Sequence, residues 1–433
     1  MSRRTRRFAL LAAGIAVIVV AGLTATFALS AHRSSQAAAS TLYVGATAGA
    51  NTSCASPGYT TVQSAVSAAG SRDTVYLCAS GSPYTENVIV ANKSLTLTGD
   101  TGATIAAPNT FNDFALPSQF ASDGLLNPEA VLLVWGASAN VAINGLTISG
   151  PFNNTIAGCG SQTYGVLVLS GATVALNGDN VTNISDPVSS ILLGCQHGVA
   201  IQIGREYWPT PSFSFLVENF AGHASISGTT VAGYQKNGIT VDGPGSSADV
   251  RGNTVNGSGR DTKYAPAIAQ NGIQISRGAS AQVRDNTVTG NSYTGPSFAS
   301  SAGILLFGGC GDPLVTGVQV MGNTLINNDI GVAMLNYAAD CVNPAGSMTN
   351  DKTIHNTISN NAVTNVGSGA ICCGFPYSGY QAGIEDVGNN DKLINNDISG
   401  AGYAAQTTVG GPFVLPIDTT SSPTTNPKVH ANK

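Results

Sequence analysis

A six-residue phrase that recurs eight times constrains the fold of this chain more than any other feature. Its best copy is Val-Arg-Gly-Asn-Thr-Val, with Gly, Asp or Asn near the middle and Thr-Val or a similar pair at the end. The copies occupy residues 143–148, 176–181, 226–231, 250–255, 283–288, 320–325, 353–358 and 393–398. A second phrase, Gly-apolar-x-apolar, alternates with the first at 165–168, 198–201, 238–241, 272–275, 303–306, 331–334 and 383–386. Regular self-similarity of this kind is the signature of a repeat architecture.

Both phrases alternate with period two, which predicts short strands with one buried face. The Gly or Asn between them supplies the left-handed backbone that a sharp bend needs. Gly228 and Gly252 occupy equivalent positions 24 residues apart, whereas other steps run from 33 to 50 residues. About two dozen residues is one coil of a parallel β-solenoid, and the longer steps are coils with inserted loops.

The composition agrees with a stack of coils joined by tight turns. The 433 residues include 52 Gly and 36 Asn, and only 9% are charged, whereas 42% are hydrophobic. Disordered chains combine low hydrophobicity with high charge, so this balance excludes simple disorder. Five asparagines fall in one register and are predicted to stack and hydrogen-bond along the turns: Asn253, Asn286, Asn323, Asn356 and Asn396.

The first 40 residues have the pattern of an export signal. A basic start at Arg3 and Arg4 precedes an apolar run of about 20 residues and the small residues 37–39. The run is also long enough to span a bilayer, so an uncleaved membrane anchor is the alternative. In both cases residues 41–433, here called the exported part, lie outside the cytoplasm. They contain 13 Lys and Arg against 23 Asp and Glu, a charge of −10, which argues against nucleic-acid or anionic-membrane binding.

All eight cysteines lie in the exported part, and an even number in an oxidising compartment predicts disulfides. Cys54 and Cys78 bracket one compact unit and are predicted to pair. Proximity alone suggests that Cys159 pairs with Cys195, and Cys310 with Cys341. The adjacent Cys372 and Cys373 either bond elsewhere or bridge each other.

The start of the exported part predicts a short helix followed by strands. Val62, Ala65, Val66 and Ala69 lie on one helical face, suited to cover the first coil. This opening resembles that of the pectin-lyase-like superfamily, especially secreted actinobacterial β-helix-repeat proteins. The resemblance implies an all-β, right-handed parallel β-helix over residues 41–410 with an N-terminal capping helix. The Thr/Pro/Ser-rich segment 411–433 is predicted to be a disordered tail.

The resemblance is specific for fold and not for function, because that superfamily includes lyases, hydrolases, esterases, epimerases, tailspikes and adhesins. The residues around 59–99 are also similar to the start of pectin methylesterases. The sequence lacks the esterase phrases Asp-Phe-Ile-Phe-Gly and Arg-Pro-Trp. It also lacks the polygalacturonase, pectate-lyase and Asp-Pro-His-Asp epimerase signatures.

Charged residues are scarce, so their positions are the main indication of a site. Five of the 13 exported basic residues lie between 251 and 284: Arg251, Arg260, Lys263, Arg277 and Arg284. Arg251 and Arg284 share a register, so both should point outward from adjacent coils about 4.8 Å apart and grip one carboxylated sugar. These two arginines are the candidate catalytic residues, and Arg260, Lys263 and Arg277 are candidate substrate ligands. Asp249 and Asp285 are candidate ligands for Ca²⁺, which prefers oxygen.

Each of these interpretations has a structural alternative. The charges Asp249, Arg251, Arg284 and Asp285 form either a surface ion-pair ladder or a ligand-binding face. Tyr207 and Trp208, in a long insertion, either stack on sugar rings or pack their own loop against the solenoid. The scattered His197, His223 and His355 suit structural roles.

The sequence therefore predicts a secreted β-helix that recognises extracellular polysaccharide, with uronate-containing chains as the candidate partner. Polysaccharide lyase or glycoside hydrolase activity is compatible with this prediction. The alternative is a non-enzymatic surface or envelope protein whose solenoid is a structural or adhesive rod.

Overall fold

The computed structural model describes residues 38–111, 129–153, 159, 162–187, 192–207, 218–260, 262–295, 299–363, 380–407, 413–419 and 425–433. The predicted export segment up to residue 37 lies outside these ranges, as do Cys372 and Cys373. The described residues from 39 to 433 form one compact unit.

Most of the described chain is built from three long sheets. Sheet A has twelve strands, paired side by side in chain order. They are β1 (Thr41–Val44), β2 (Thr74–Leu77), β5 (Ser94–Gly99), β8 (Asn140–Asn144), β11 (Thr173–Asn177), β16 (His223–Ser227), β19 (Ser247–Arg251), β22 (Ser280–Arg284), β25 (Gln319–Met321), β28 (Lys352–Ile354), β31 (Lys392–Ile394) and β35 (Lys428–His430).

Sheet B has eleven strands, all parallel except the edge strand β33. They are β4 (Val88–Ala91), β7 (Glu129–Trp135), β10 (Thr163–Leu169), β13 (Val199–Ile203), β18 (Asn237–Asp242), β21 (Asn271–Ser276), β24 (Ala302–Gly308), β27 (Ile330–Asn336), β30 (Gln381–Val387), β33 (Gln406–Thr407) and β34 (Phe413–Asp418).

Sheet C has ten short parallel strands. They are β3 (Tyr84–Thr85), β6 (Thr104–Ala106), β9 (Thr147–Ser149), β12 (Asn180–Thr182), β17 (Thr230–Ala232), β20 (Thr254–Asn256), β23 (Thr287–Thr289), β26 (Thr324–Ile326), β29 (Thr357–Ser359) and β32 (Asp397–Ser399). A separate antiparallel pair joins β14 (Arg205–Tyr207) and β15 (Glu218–Phe220).

Each coil runs from sheet B through sheet A to sheet C, and a loop then leads to sheet B of the next coil. The second phrase of the sequence forms the sheet B strands, and the first phrase spans the corner between sheets A and C. Successive coils pair residue for residue, as in Val250 with Val283 and Val255 with Val288. Crossover connections between parallel strands are right-handed. The chain is a right-handed parallel β-helix, as the sequence predicted.

The interior of the coil is filled by stacked columns of aliphatic side chains. In sheet A the inward column includes Ile143, Leu176, Ile226, Val250 and Val283, all fully buried. Each strand alternates inward and outward residues, so neighbouring coils bury these columns without needing charged groups. Because the coils bury one another's apolar columns, the fold needs few charged residues, and only 9% of the chain is charged.

One short α-helix, α1 (Val62–Ala68), covers the first coil. The Thr61 hydroxyl accepts a hydrogen bond from the Ser64 N–H, and the Glu86 carboxylate accepts from Val62 and Gln63 N–H at 2.7 and 2.9 Å. A hydroxyl cap of this type contributes about 1 kcal/mol to helix stability. Val62 and Val66 are buried against the first coil, so the predicted capping helix is confirmed. Two 3₁₀ turns, Ala79–Gly81 and Ala401–Tyr403, complete the helical elements of the described chain.

The predicted asparagine stack is present at the corner between sheets A and C. Each Nδ2 donates to the Oδ1 of the next asparagine at 2.8–3.0 Å, and each of those Oδ1 atoms also accepts a backbone N–H. The stack begins at Asn253 and continues beyond Asn396 to Asn432. Buried amides and turn N–H groups therefore satisfy one another along six coils.

The C-terminal segment differs from the prediction. Residues 411–433 were predicted to be a disordered tail, whereas β34 pairs with β30 and β35 pairs with β31. Val414 is fully buried, and Asn432 continues the asparagine stack. Short apolar alternation and one asparagine in register extend the solenoid despite a composition dominated by Thr, Pro and Ser.

Among the described residues, three disulfides join Cys54 with Cys78, Cys159 with Cys195, and Cys310 with Cys341. All three pairings match the prediction. The first closes a separation of 24 residues beside α1.

Candidate functional site

A shallow groove of about 600 Å³ runs across the outward face of sheet A. It crosses five successive strands from β11 to β25, perpendicular to the strand direction. Small and polar outward side chains line most of it: Thr173, Ala175, His223, Ser225, Ser247, Asp249, Ser280, Gln282 and Gln319.

The groove exists because the outward positions of these strands hold small residues. Val250 points into the core, so Asp249 and Arg251 on either side of it point outward. One column runs through the middle of the face, here called the central column. It consists of Ala142, Ala175, Ser225, Asp249, Gln282, Gln319, Lys352, Lys392 and Lys428.

Arg284 reaches from its own coil to Asp249 on the preceding one. Its Nη2 lies 3.0 and 3.2 Å from the two carboxylate oxygens, and its Nε lies 3.2 Å from Oδ1. The hydrogen bond to Asp249 and the attraction of that carboxylate raise the pKa of Arg284. Arg251 is looser, with Nε 3.9 Å from Asp249 and 52% of its side chain exposed. The structure thus brings Asp249, Arg251 and Arg284 together at the rim of the groove.

The other predicted basic ligands lie elsewhere on the coil. Arg277 occupies the corner between sheets B and A, where Nη1 lies 2.9 Å from Asp242 and Nε 3.2 Å from Asp312. Arg260 and Lys263 are exposed on the loop between β20 and β21, which joins sheet C to sheet B. Arg260 lines a separate hollow there of about 310 Å³. The five basic residues therefore occupy three different places around the coil.

The aromatic candidates cannot be placed against the groove. Tyr207 ends β14, and its side chain lies outside the described residues, as does all of Trp208. Their roles in sugar stacking or loop packing stay predictions.

The two predicted calcium ligands, Asp249 and Asp285, have different surroundings. Asp249 is engaged by the Arg284 guanidinium, and the exposed Asp285 sits in the left-handed turn after β22, with φ of 57°. In the part of the chain that the structure describes, no group of three or more His, Cys, Asp or Glu side chains is arranged to hold a metal ion. A Ca²⁺ site at these two residues stays a prediction.

The histidines occupy different environments. His223 lines the groove, with its Nδ1 2.9 Å from the Ser247 hydroxyl. His197 is fully buried, with Nδ1 2.8 Å from Asp186, and His355 contacts Asn395 at an exposed turn. Structural roles were predicted for all three histidines, and the position of His223 in the groove was not predicted.

Three lysines at the C-terminal end of the central column were not predicted as site residues. Lys352, Lys392 and Lys428, here called the lysine row, occupy matched positions on β28, β31 and β35. The signal was present, because a lysine directly precedes each of the last two copies of the first phrase. Lys428 likewise directly precedes Val429 and His430, which pair with Leu393 and Ile394 of the last copy.

Beneath this end of sheet A lies a group of buried carboxyl groups. Asp391 accepts hydrogen bonds from the Thr349 hydroxyl at 2.6 Å and from the Asp351 N–H at 2.7 Å. Burial, followed by repulsion from Asp391, raises the pKa of Asp351. Burial, followed by repulsion from nearby Asp386, raises the pKa of Asp391. Burial also raises the pKa of Glu385 in sheet B to about 8, with a further contribution from Asp418.

Comparisons with known proteins add a likeness of shape. No family model and no curated protein matches the sequence. Among solved structures, the Dettilon tailspike protein gp208 is similar over 85% of this chain at 12% identity, with a TM-score of 0.39. The periplasmic alginate epimerase AlgG is similar over 84% of this chain and 77% of its own at 13% identity, with a TM-score of 0.34. Escherichia coli YbhC is similar over 90% of this chain and 84% of its own at 9% identity, with a TM-score of 0.32.

The chain covers 64% of the tailspike, which is less than two thirds of its length. The assignment of an activity depends on this chain's own residues. No helix in the described ranges is long and apolar enough to cross a membrane.

Proposed function

We propose that this protein binds an extracellular polysaccharide along the outward face of sheet A. The observation that supports the proposal is the groove across β11 to β25, lined by hydroxyl, imidazole, carboxylate and amide groups. Sugars offer many hydroxyl groups, and closely spaced donors and acceptors on a rigid sheet suit them without large rearrangement.

The ionic group at the rim favours sugars with carboxylates. Arg251 is half exposed and only loosely held by Asp249, so its guanidinium can turn toward a bound anion. Arg284 is held more firmly, because its guanidinium donates hydrogen bonds to Asp249. We assign Arg251 the more direct contact with a uronate carboxylate and Arg284 the supporting role. The lyase or hydrolase activity predicted for these two arginines remains a further step of this proposal.

Secretion is part of the same proposal. The described residues contain three disulfides, and disulfides form and persist in oxidising compartments outside the cytoplasm. The sequence of residues 1–40 has the pattern of an export signal. An extracellular address would bring the groove into contact with cell-wall or matrix polysaccharides.

Retention on polysaccharide columns and product formation test this proposal. The purified protein is incubated with polygalacturonate, alginate and neutral dextran, with and without Ca²⁺. Retention on the uronate columns is expected. New unsaturated ends that absorb in the ultraviolet would establish a lyase. Absence of both retention and products would reject polysaccharide recognition.

A groove-filling variant locates the binding surface. Ser225→Trp places a large side chain in the middle of the groove, where Ser225 is half-buried between Ala175 and Asp249 in the central column. Thr96→Trp makes the same change on β5, outside the groove. Retention should fall for Ser225→Trp and not for Thr96→Trp. Equal retention of both would place the sugar on another face. Arg251→Ala tests the ionic contribution separately.

A structural or adhesive rod is the second candidate. The two-oxygen contact between Arg284 and Asp249 favours it, because ion pairs between neighbouring coils also serve to join a stack. The column experiment separates the two, since a structural rod needs no retention on polysaccharide.

A further inference from the structure

We propose that the lysine row, Lys352, Lys392 and Lys428, binds successive carboxylates of one linear polyuronate that lies along the axis of the solenoid. This inference rests on the proposed function and names its substrate class. Nothing in the groove itself requires a polyanion, so the two can fail separately.

The three lysines form a row because their strands pair without any shift in register. Lys352 pairs with Lys392, and Lys392 pairs with Lys428. Neighbouring parallel strands lie about 4.8 Å apart, so the side chains leave the sheet at that interval. This interval is close to the length of one pyranose unit in an extended chain. A polymer with one carboxylate on each sugar would therefore carry one negative charge for each interval between lysines.

The lysine ammonium groups have no acidic partner within the described residues. None of the ion pairs or hydrogen bonds there involves the Nζ atoms of Lys352, Lys392 or Lys428. Lys352 and Lys392 are half-buried by their neighbours, and Lys428 is exposed. Like charges directly opposite each other on adjacent strands destabilise a sheet. A bound polyanion relieves this repulsion, which favours its association.

The acidic residues that precede two of these lysines do not neutralise them. Asp351 and Asp391 point inward, because strand alternation sends neighbouring residues to opposite faces. Asp351 accepts hydrogen bonds from the Val318 N–H at 2.8 Å and the Asn336 amide at 3.1 Å. Its carboxyl group is therefore hydrogen-bonded within the interior of the coil.

The surroundings of the row fit a sugar chain better than other polyanions. Ile354 and Ile394 form a half-buried outward column beside the lysines and offer an apolar surface to the C–H faces of sugar rings. The row is also continuous with Gln282 and Gln319 of the groove through the central column. Nucleic acids and anionic membranes require a broad basic surface, whereas the exported part has a charge of −10.

Affinity measured against salt concentration tests the inference. The purified protein is titrated with polygalacturonate and with its fully methyl-esterified form, which lacks the charges. We expect binding of the charged form to weaken steeply with NaCl, since salt screens exposed charges. The triple variant Lys352→Gln, Lys392→Gln, Lys428→Gln should bind polygalacturonate at least roughly tenfold more weakly at low salt. Its salt dependence should be shallower.

Matched variants separate this row from general charge and from folding. Lys392→Gln and Arg72→Gln each remove one exposed or half-exposed positive charge, and Arg72 lies at the other end of the solenoid. Only Lys392→Gln should weaken binding. The triple Lys→Arg variant keeps the charges and should retain affinity, and circular dichroism checks that every variant folds.

The outcomes distinguish the two proposals. Wild-type affinity and salt dependence in the triple Gln variant would overturn the lysine row while leaving the groove intact. Binding of the esterified polymer as tightly as polygalacturonate would also overturn the lysine row and leave the groove intact. Loss of binding in Ser225→Trp together with the triple Gln variant supports one continuous surface. Tighter binding of single-stranded DNA or phosphatidylglycerol vesicles than of polygalacturonate would overturn the choice of a polysaccharide.

Discussion

Arg284 donates hydrogen bonds to both carboxylate oxygens of Asp249 across one step of the solenoid, at distances of 3.0 and 3.2 Å. The two residues lie in neighbouring outward columns, so the contact is diagonal. About a third of each side chain is exposed to solvent. This position makes the pair available to a ligand while it also joins two coils.

The first prediction separates these two roles. Exposed ion pairs contribute about 0–1 kcal/mol to stability, so Arg284→Gln should lower the free energy of unfolding by no more than about 1 kcal/mol. Polyuronate retention should fall if Arg284 supports Arg251 in binding. Urea unfolding and column retention are compared for Arg284→Gln, Asp249→Asn and the double variant. A loss of several kcal/mol without any change in retention would assign the pair to the structural rod.

Residues with a fixed register could be predicted from sequence, and residues on inserted loops could not. The asparagine stack was predictable because Asn253, Asn286 and Asn323 hold the same place in successive copies of one phrase. Arg277 and Arg260 lie close to Arg251 in sequence, yet a coil of about two dozen residues passes through three faces. Sequence proximity therefore grouped side chains that the coil separates.

Two further differences have physical reasons of the same kind. The lysine row was not predicted because Lys352 and Lys392 each lie one residue before the phrase that marked the repeat, and Lys428 lies beyond its eight copies. The final coil was missed because β35 is only three residues long and its composition favours a tail. In both cases the position of the residues is determined by pairing with the preceding coil. The sequence of one segment does not show that pairing.

The second prediction concerns the asparagine stack. Asn323 Nδ2 donates to the Val283 carbonyl and to Asn356, while its Oδ1 accepts from the Asn286 backbone and side chain. Asn323→Ala leaves buried donors without acceptors, at about 1–3 kcal/mol for each group. We expect a loss of about 3 kcal/mol in unfolding free energy.

Asn432→Ala provides the matched control, because Asn432 is the final described member of the stack and is exposed in part. Its loss should cost clearly less than that of Asn323. Equal unfolding curves for the two variants in urea would show that the stack does not depend on continuity.

The third prediction concerns the Cys54–Cys78 disulfide. It closes a separation of 24 residues, and in the chain-entropy model such a loop is worth about 3 kcal/mol. The double variant Cys54→Ser, Cys78→Ser should unfold at a lower temperature, with the loss concentrated in α1 and the first coils. Hydrogen exchange localises the effect. Unchanged protection of Val62–Ala68 would contradict it.

The fourth prediction is a loss of stability as pH rises. Burial raises the pKa of Asp351 and Asp391, and that of Glu385 to about 8, whereas the ordinary values are 3.8 and 4.5. Between the ordinary and the raised pKa values, the folded state binds more protons than the unfolded state. The stabilisation from these groups is therefore complete below about pH 4 and is lost as pH rises toward 8. Unfolding free energy measured in urea should therefore fall from pH 5 to pH 8. Asp73 and Asp340 have lowered pKa values and finish titrating below this window.

Asp391→Asn identifies the source of this pH dependence. Its side-chain oxygen can still accept from the Thr349 hydroxyl and the Asp351 N–H, while the new amide adds no charge. The variant should lose less stability between pH 5 and pH 8 than the wild type, because one buried carboxyl group no longer has to ionise and repulsion on Asp351 is reduced. Asp397→Asn, at an exposed position of β32, should keep the wild-type slope. An unchanged slope in Asp391→Asn would assign the pH dependence to groups other than this buried cluster.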